Sequence, residues 1–520
     1  MPKVTFPNNF KKVSQHLTCL GIPMAISLGI KLILLSLRYQ SAVNMDGTLY
    51  ITAAMHFAEG DWTSGLMIYN RPAYSLLLAL THTIIPDWLG AAYFISIASM
   101  VIATIPLYLL TKELFGIKAA FWACMIFAIL PKINEWSFYV SRDAVFLAIA
   151  AWFVYIALKS YKNNKLFLFG NVFFIAWASI LFRTEGILLL IFYTILLIHQ
   201  AMTTPDHKGH HYIKLLIWIG VPLCAGMIIV ATMGIKSFEV NRFYQIYQWV
   251  RGLFNGEFLS SYHTIYNFLS EAEKHPPFSG YHYSFAAISR HYLLVIYMLG
   301  IIEAMLKIIS PLSCIPLFIA LKHRAPFQGK RILMLCAMFI AFVYYSLILR
   351  DFIATRFLLI PGFFLLPWVG AGLKQLWDNA VKPPHLLRTK ILLILVPLVP
   401  MVMTLGLVRN NDNTLSKAIS WLTKNNTVQK VIIATNATRA PFYVALETEQ
   451  NPDWTVCLYT KENLKEIESF AMKRNATFLI LKEKHRKPKE KPILINFEHL
   501  TDFVTKYEIT TLYTRRRNEP

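Results

Sequence analysis

Acids and arginines recur together at a few turns of this chain, each beside an apolar block. They are Asp46 and Arg71; Arg142 and Asp143; Arg183 and Glu185; and Arg350, Asp351 and Arg356. A carboxylate within reach of a hydroxyl or amine can take its proton as that group attacks. An arginine fork can hold the paired oxygens of a phosphate in a fixed geometry, which a mobile ammonium cannot. Each also has a plainer use. Asp46 precedes a helical segment and could cap it. Ser141 could cap the next helix, with Asp143 complementing its dipole. Arg183 and Glu185 could simply pair with each other. Lipid snorkelling explains any single arginine well, and explains less well why acids accompany the arginines at each turn.

The element that must position these residues is a membrane bundle. Only 15% of the 520 residues are charged, against 56% hydrophobic, and mean hydropathy is +0.46. Soluble domains carry about 25% charged residues. A bilayer core about 30 Å thick needs about 20 mostly apolar residues per helix, and such blocks recur from Leu17 to Val408. Residues 1–408 therefore read as a transmembrane domain, and 409–520, of ordinary soluble composition, as a separate one. The net charge of +22 does not argue for nucleic acid, because much of it sits in short loops where lysine and arginine set orientation. Cys19, Cys124, Cys224, Cys314 and Cys336 fall in apolar blocks and Cys457 stands alone in the tail. No disulfide framework or metal-ligand spacing emerges. The block Leu17–Leu37 is too long for a signal h-region and lacks a small-residue cleavage site, so it is expected to remain as a helix.

Eleven spans are expected, about one per block: Leu17–Leu37, Trp88–Leu110, Ala119–Leu130, Ala144–Leu158, Leu166–Phe182, Gly186–Ile198, Leu215–Met233, Ala304–Leu321, Ile332–Leu349, Phe357–Leu376 and Ile391–Val408. Alternate loops differ in chemistry. One set is rich in lysine (Lys112 and Lys118; Lys159, Lys162 and Lys165; Lys208 and Lys214; Lys322 and Lys330; Lys374 and Lys382), which the positive-inside rule places in the cytoplasm with the N-terminus. The other holds the acid–arginine turns. An odd number of spans leaves the C-terminal domain outside. Arg290–Leu321 is too long for one span and too short for two, so its first half reads as an interfacial helix. Two outer loops, 38–87 and 234–289, are long and rich in aromatics, the kind of loop that tends to be functional.

In the tail, Thr414–Asn425 has helical spacing and VIIA from Val431 reads as a strand. A helix over Asn463–Arg474 precedes the strand ATFLILK from Ala476, and a helix over Phe497–Lys506 precedes the strand YEITTLYT from Tyr507. Such alternation predicts a small α/β domain, a scaffold or a docking surface for the acceptor.

Asp46 stands nine residues beyond Leu37, followed by an amphipathic segment over Leu49–Ala58 and then by YNRPAYSLLLAL. This order resembles the GT-C membrane glycosyltransferases, in particular the protein O-mannosyltransferases and the bacterial lipid A aminoarabinose transferases. The resemblance matches Asp46 to the essential aspartate of that family's first outer loop. It matches Arg71 to the basic residue before proline, often lysine there. It sets Asp143, in YVSRDAVFLAIAAWF, where family members often have an acid facing the active site, and Arg356, in RDFIATRFLLIPGFFLLP, at their Arg-aromatic segment. The sequence departs from the family twice. Gly47 follows Asp46 where the mannosyltransferases carry paired acids, and Asn70 stands where the aminoarabinose transferases place a glutamate, which puts a metal site like theirs in doubt.

The resemblance implies a polyprenyl-phosphate sugar donor, a glycan, lipid A or protein acceptor, direct displacement with inversion, and a place in a bacterial inner membrane. Asp46 would serve as base, Arg71 and Arg356 would hold the departing phosphate, and Asp143 and Glu185, with Arg142 and Arg183, would orient acceptor or sugar. No nucleotide, cofactor or obligate metal is implied, and the sugar, hexose or pentose, stays open. Lys31, roughly 9 Å inside the outer end of the first helix, stays open between snorkelling and the site. Two rivals stand beside this reading. A transporter or flippase would need ionisable groups near the midplane and internal repeats. A non-catalytic assembly protein would use its outer domain for docking alone.

Overall fold

The computed structural model describes residues 8–38, 43–163, 166–203, 212–221, 224, 242–274, 282–322, 326–380, 386–407, 413–426, 428–448, 451, 453–459, 466–484, 494–505 and 508–516. Among these, seven helices are long and apolar enough to cross a membrane: Ser14–Leu37, Trp88–Phe115, Arg142–Asn163, Thr184–Thr203, Gln328–Arg350, Thr355–Ala380 and Thr389–Gly406. Ile117–Ile129, Phe167–Phe182, Tyr212–Val221 and Pro311–Leu321 are shorter apolar helices. The expected span Leu215–Met233 runs past Val221 into residues mostly outside the described ones, as does the start of the loop 234–289. The chain divides into two compact units, Met1–Ile33 with Asn70–Gly406, and Leu34–Tyr69 with Leu407–Pro520.

The first unit is a helical bundle packed around Leu359–Ala380, whose Phe363, Phe364, Trp368 and Val369 are fully buried. A Cβ on Gly370 would collide with the carbonyl of Ala119, and one on Gly372 with that of Pro316. Glycine in a helix costs about 1 kcal/mol relative to alanine, and here it permits the backbone approach typical of membrane helices.

The segment 290–321 differs from expectation. Ser284–His291 and Leu293–Ile309 meet at 75°, and Leu293, Tyr297, Ile301, Ala304 and Ile308 form one buried stripe. The chain then breaks at Ser310, with φ of 67°, and resumes as Cys314–Leu321. The expected span Ala304–Leu321 is thus two pieces. Pro311 is the cause, since it restricts the residue before it and cannot donate to the helix; hydropathy is blind to such a break.

The second unit holds a five-stranded sheet of β1 (Val431–Thr435), β2 (Trp454–Leu458), β3 (Phe478–Lys484), β4 (Phe497–Val504) and β5 (Glu508–Arg515), in the order β2-β1-β3-β5-β4. β1 pairs in parallel with β2 and β3, and β5 runs antiparallel to β3 and β4. Helices Ala440–Glu447 and Ile467–Lys473 lie in the two parallel crossovers. Thr414–Asn425 is a helix, as its spacing predicts, and Thr510 Oγ1 on β5 donates to Thr414 Oγ1 at 2.9 Å. The helix expected over Phe497–Lys506 is instead the edge strand β4. Its apolar residues Phe497, Leu500 and Val504 have helical spacing, but a bulge between His499 and Thr501 reconciles that spacing with pairing to β5.

Residues 34–69 belong to this second unit. Helix Met45–Ala58 buries Tyr50, Ile51, Ala54, Met55 and Phe57, more than the surface amphipath expected over Leu49–Ala58. The Val43 amide donates to the Tyr443 hydroxyl at 2.9 Å, which ties the loop of Asp46 to the tail domain.

A candidate active site of carboxylates and arginines

Helix Arg142–Asn163 starts at a serine cap. The Asp143 amide donates to Ser141 Oγ at 3.1 Å, and the Ser141 hydroxyl donates in turn to Asp143 Oδ2. The other carboxylate oxygen of Asp143 forms an ion pair with Arg183 Nη1, with only 5% and 7% of the two side chains exposed. Capping and a site role are therefore not alternatives here: Ser141 caps, and Asp143 is held pointing at a cation.

Arg183 lies between helix Leu166–Phe182 and the 3-10 turn Thr184–Gly186. Its amide closes the helix on Ser179 O at 2.9 Å, and the Gly186 amide returns to Arg183 O at 3.0 Å. A Cβ on Gly186 would press on the backbone of Ser179 and Ile180 at 2.8 Å, so only glycine lets the turn fold back this tightly. Within that turn Arg183 Nε donates to Glu185 Oε2 at 3.1 Å, and Nη2 donates to Glu185 Oε1. One guanidinium thus joins two carboxylates, in the bidentate fork that arginine alone provides.

Arg356 comes from the 3-10 turn Thr355–Leu358 ahead of the central helix. The same pocket is lined by Asp143, Arg183, Glu185 and Arg356 with Phe146 and Phe357. The Phe357 ring lies 5.5 Å from the Arg183 guanidinium and 5.6 Å from that of Arg356, so it spaces the two cations. Upstream, Asp351 ends the preceding helix in the left-handed region, φ 52°, where the Tyr297 hydroxyl donates to its Oδ1 at 2.6 Å. That contact was not read from the sequence; its signal was a lone tyrosine hydroxyl in an apolar run, which needs a partner when packed.

The structure thus brings Asp143, Arg183, Glu185 and Arg356 together, and Arg142 is near enough to act electrostatically on Glu185. Arg71 is half-buried in the same unit, just ahead of helix Ala73–His82. Asp46 lies in the second unit, half-buried in the first turn of Met45–Ala58. The N-cap of that helix is Asn44, not Asp46. Lys31 is fully buried. Its buried Nζ donates to Ser27 Oγ at 2.8 Å and Asn134 Oδ1 at 3.0 Å, and Asn134 Nδ2 donates to the carbonyls of Ala128 and Leu130 exposed by the break before Pro131. Among the described residues no three His, Cys, Asp or Glu side chains converge as a metal-ligating group.

A family model described as dolichyl-phosphate-mannose-protein mannosyltransferase matches residues 70–229, the stretch that contains Arg71, Arg142, Asp143, Arg183 and Glu185. No curated protein matches the chain by sequence. ArnT from Cupriavidus metallidurans bound to undecaprenyl phosphate is similar at 13% identity, over 95% of this chain and 98% of that one, with a TM-score of 0.55. The same protein in the apo state is similar at 13% identity over 94% and 97% of the two chains, with a TM-score of 0.51. Archaeal oligosaccharyltransferase AglB from Archaeoglobus fulgidus, in complex with an inhibitory peptide and a dolichol-phosphate, is 13% identical over 91% of this chain and 70% of that one, at a TM-score of 0.48. The chain is a polytopic helical membrane protein with a small C-terminal sheet domain, and its fold is that of ArnT. It resembles the GT-C membrane glycosyltransferases, as its ordered motifs led one to expect.

Proposed function

We propose that this protein moves a sugar from a polyprenyl-phosphate carrier to an acceptor on the outer side of a bacterial cytoplasmic membrane, with inversion. The N-terminus is then cytoplasmic and the tail domain periplasmic. The acceptor hydroxyl or amine attacks the anomeric carbon, its proton passes to Asp46, and the bond from that carbon to the phosphate oxygen breaks. Arg71 and Arg356 hold the lipid phosphate as it gains charge, the kind of electrostatic stabilisation that is usually the largest contribution to catalysis. Asp143 and Glu185, fixed by Arg183 with Arg142 beside them, orient the sugar or acceptor. The acceptor is lipid A, another glycan or a protein, and the sugar a hexose or pentose.

The observation that carries this reading is the shared pocket. Arg183 is committed to two carboxylates, while Arg356 lines the same space across Phe357. Two arginines and two carboxylates line it, and Arg142, acting on Glu185 from outside the lining, adds the positive charge that would favour a phosphate. ArnT, with this fold, binds undecaprenyl phosphate. The test is binding to the purified full chain in detergent. Undecaprenyl phosphate should bind at least about 10-fold more tightly than undecaprenol, in line with a charged hydrogen bond of about 1.5–3 kcal/mol. Arg356→Ala should remove most of the difference. Equal binding of the phosphate and the alcohol would overturn the reading.

A further inference from the structure

A second cleft opens at the other end of the central helix. Ile360 lines the pocket of Asp143, whereas Ala371, Lys374, Gln375 and Asp378 line this one, with Phe115 and Ala320. Eleven to eighteen residues of helix separate them, roughly 17–27 Å at 1.5 Å per residue. The cleft, about 320 Å³, is built from three helices, Trp88–Phe115, Cys314–Leu321 and Leu359–Ala380. Ala371, Lys374, Gln375 and Asp378 have the spacing of a single helix face. On either flank of that face, Gly370 is pressed against Ala119 and Gly372 against Pro316, so the helix is tightly packed on both sides of the open face.

The charge around the cleft is positive on balance, four lysines against Glu113 and Asp378. Lys112 and Lys118 stand three residues either side of Phe115, and Lys322 stands two beyond Ala320. None of these, nor Lys374, forms an ion pair with a described residue, although Glu113 and Asp378 share the same helix ends. All four belong to the lysine-rich loop set that the positive-inside rule assigns to the cytoplasm.

We propose that this cleft binds an anionic glycerophospholipid of the cytoplasmic leaflet, its phosphodiester on Lys374 and its acyl chain along Phe115, Ala320 and Ala371. A free anion would use the lysine but not the apolar lining, and a zwitterionic lipid would use the lining with no net charge for the lysines. The site is separate from the transfer pocket and does not depend on what is transferred there.

The test uses the full chain, stripped of lipid in detergent and given mixed micelles containing phosphatidylglycerol or phosphatidylcholine at one mole fraction. Bound lipid is counted by native mass spectrometry. Phosphatidylglycerol should be retained at least about fivefold over phosphatidylcholine, consistent with the attraction of one lysine near an anionic surface. Lys374→Gln should lose that preference and Lys374→Arg should keep it, while transfer at saturating donor stays unchanged in both. The preference of the unaltered protein decides the matter by itself should Lys374→Gln unfold. Equal retention of the two lipids, an undiminished preference in a folded Lys374→Gln, or displacement of the lipid by equimolar inorganic phosphate would each overturn the proposal.

Discussion

Asp143 and Arg183, forty residues apart in sequence, form an ion pair that ties the capped start of one helix to the turn that follows the next. Both side chains are buried, and Glu185 completes the set from within the same turn. The pair fixes two carboxylates whose positions would otherwise depend on short, separate turns.

Removing Arg183 should be costly for stability. Arg183→Ala would leave Asp143 and Glu185 facing each other without their cation, and breaking a buried pair in this way costs about 3–5 kcal/mol. Thermal unfolding in detergent should show a large fall in midpoint, and Ser141→Ala a smaller fall, matching the loss of about 1 kcal/mol that a cap usually contributes. An unchanged midpoint for Arg183→Ala would mean the ion pair contributes nothing to the fold.

Asp46 should matter to turnover and not to folding. The N-cap position of its helix is Asn44, whose side chain makes no capping bond, and Asp46 lies inside the first turn, so Asp46→Asn removes charge and basicity without removing a cap. Transfer should fall at least about 100-fold, as for loss of a general base, with the melting midpoint unmoved. Near-normal transfer by the purified variant would take Asp46 out of the mechanism.

Arg71 should act on the donor. Arg71→Lys keeps the charge but not the fork, so it should retain some donor binding with reduced turnover, and Arg71→Ala should lose both. A doubly swapped Asp46→Arg, Arg71→Asp protein should not recover. Recovery would identify a structural bridge instead, and full transfer by Arg71→Ala at limiting donor would remove it from the site.

Topology is open to direct measurement. A reporter active only outside the cytoplasm should work after Pro520 or near Gly256, and fail at Gly209 or near Gln328. The decisive position is Gln328, because the break at Ser310 divides the segment before it into Leu293–Ile309 and Cys314–Leu321. Activity there would mean that this segment crosses twice.

The sequence shows the fold where one physical signal dominates. Long apolar runs set the long helices, and the helix Thr414–Asn425 and strands β1, β3 and β5 follow their local patterns. It misleads where a single residue or a distant partner decides. Pro311 breaks a run that hydropathy reads as continuous, and β4 becomes a strand only because β5 is there to pair with it. The same holds for the site. Arg183 and Glu185 are legible as a pair because they share a turn, whereas the contact of Arg183 with Asp143 and that of Tyr297 with Asp351 exist only in three dimensions. Lys31 shows the limit most plainly: its partner Asn134 is 103 residues away, and nothing in its own helix announces it.

The most direct test of polyprenyl-phosphate-dependent glycosyl transfer is mass spectrometry of membrane lipids from cells lacking this protein. Such cells should accumulate one glycosylated polyprenyl phosphate, whose mass would also identify the sugar. The accumulated lipid should disappear on complementation with the unaltered gene and persist with Asp46→Asn. An unchanged carrier-lipid profile in the deletion strain, under conditions where the protein is normally made, would contradict it.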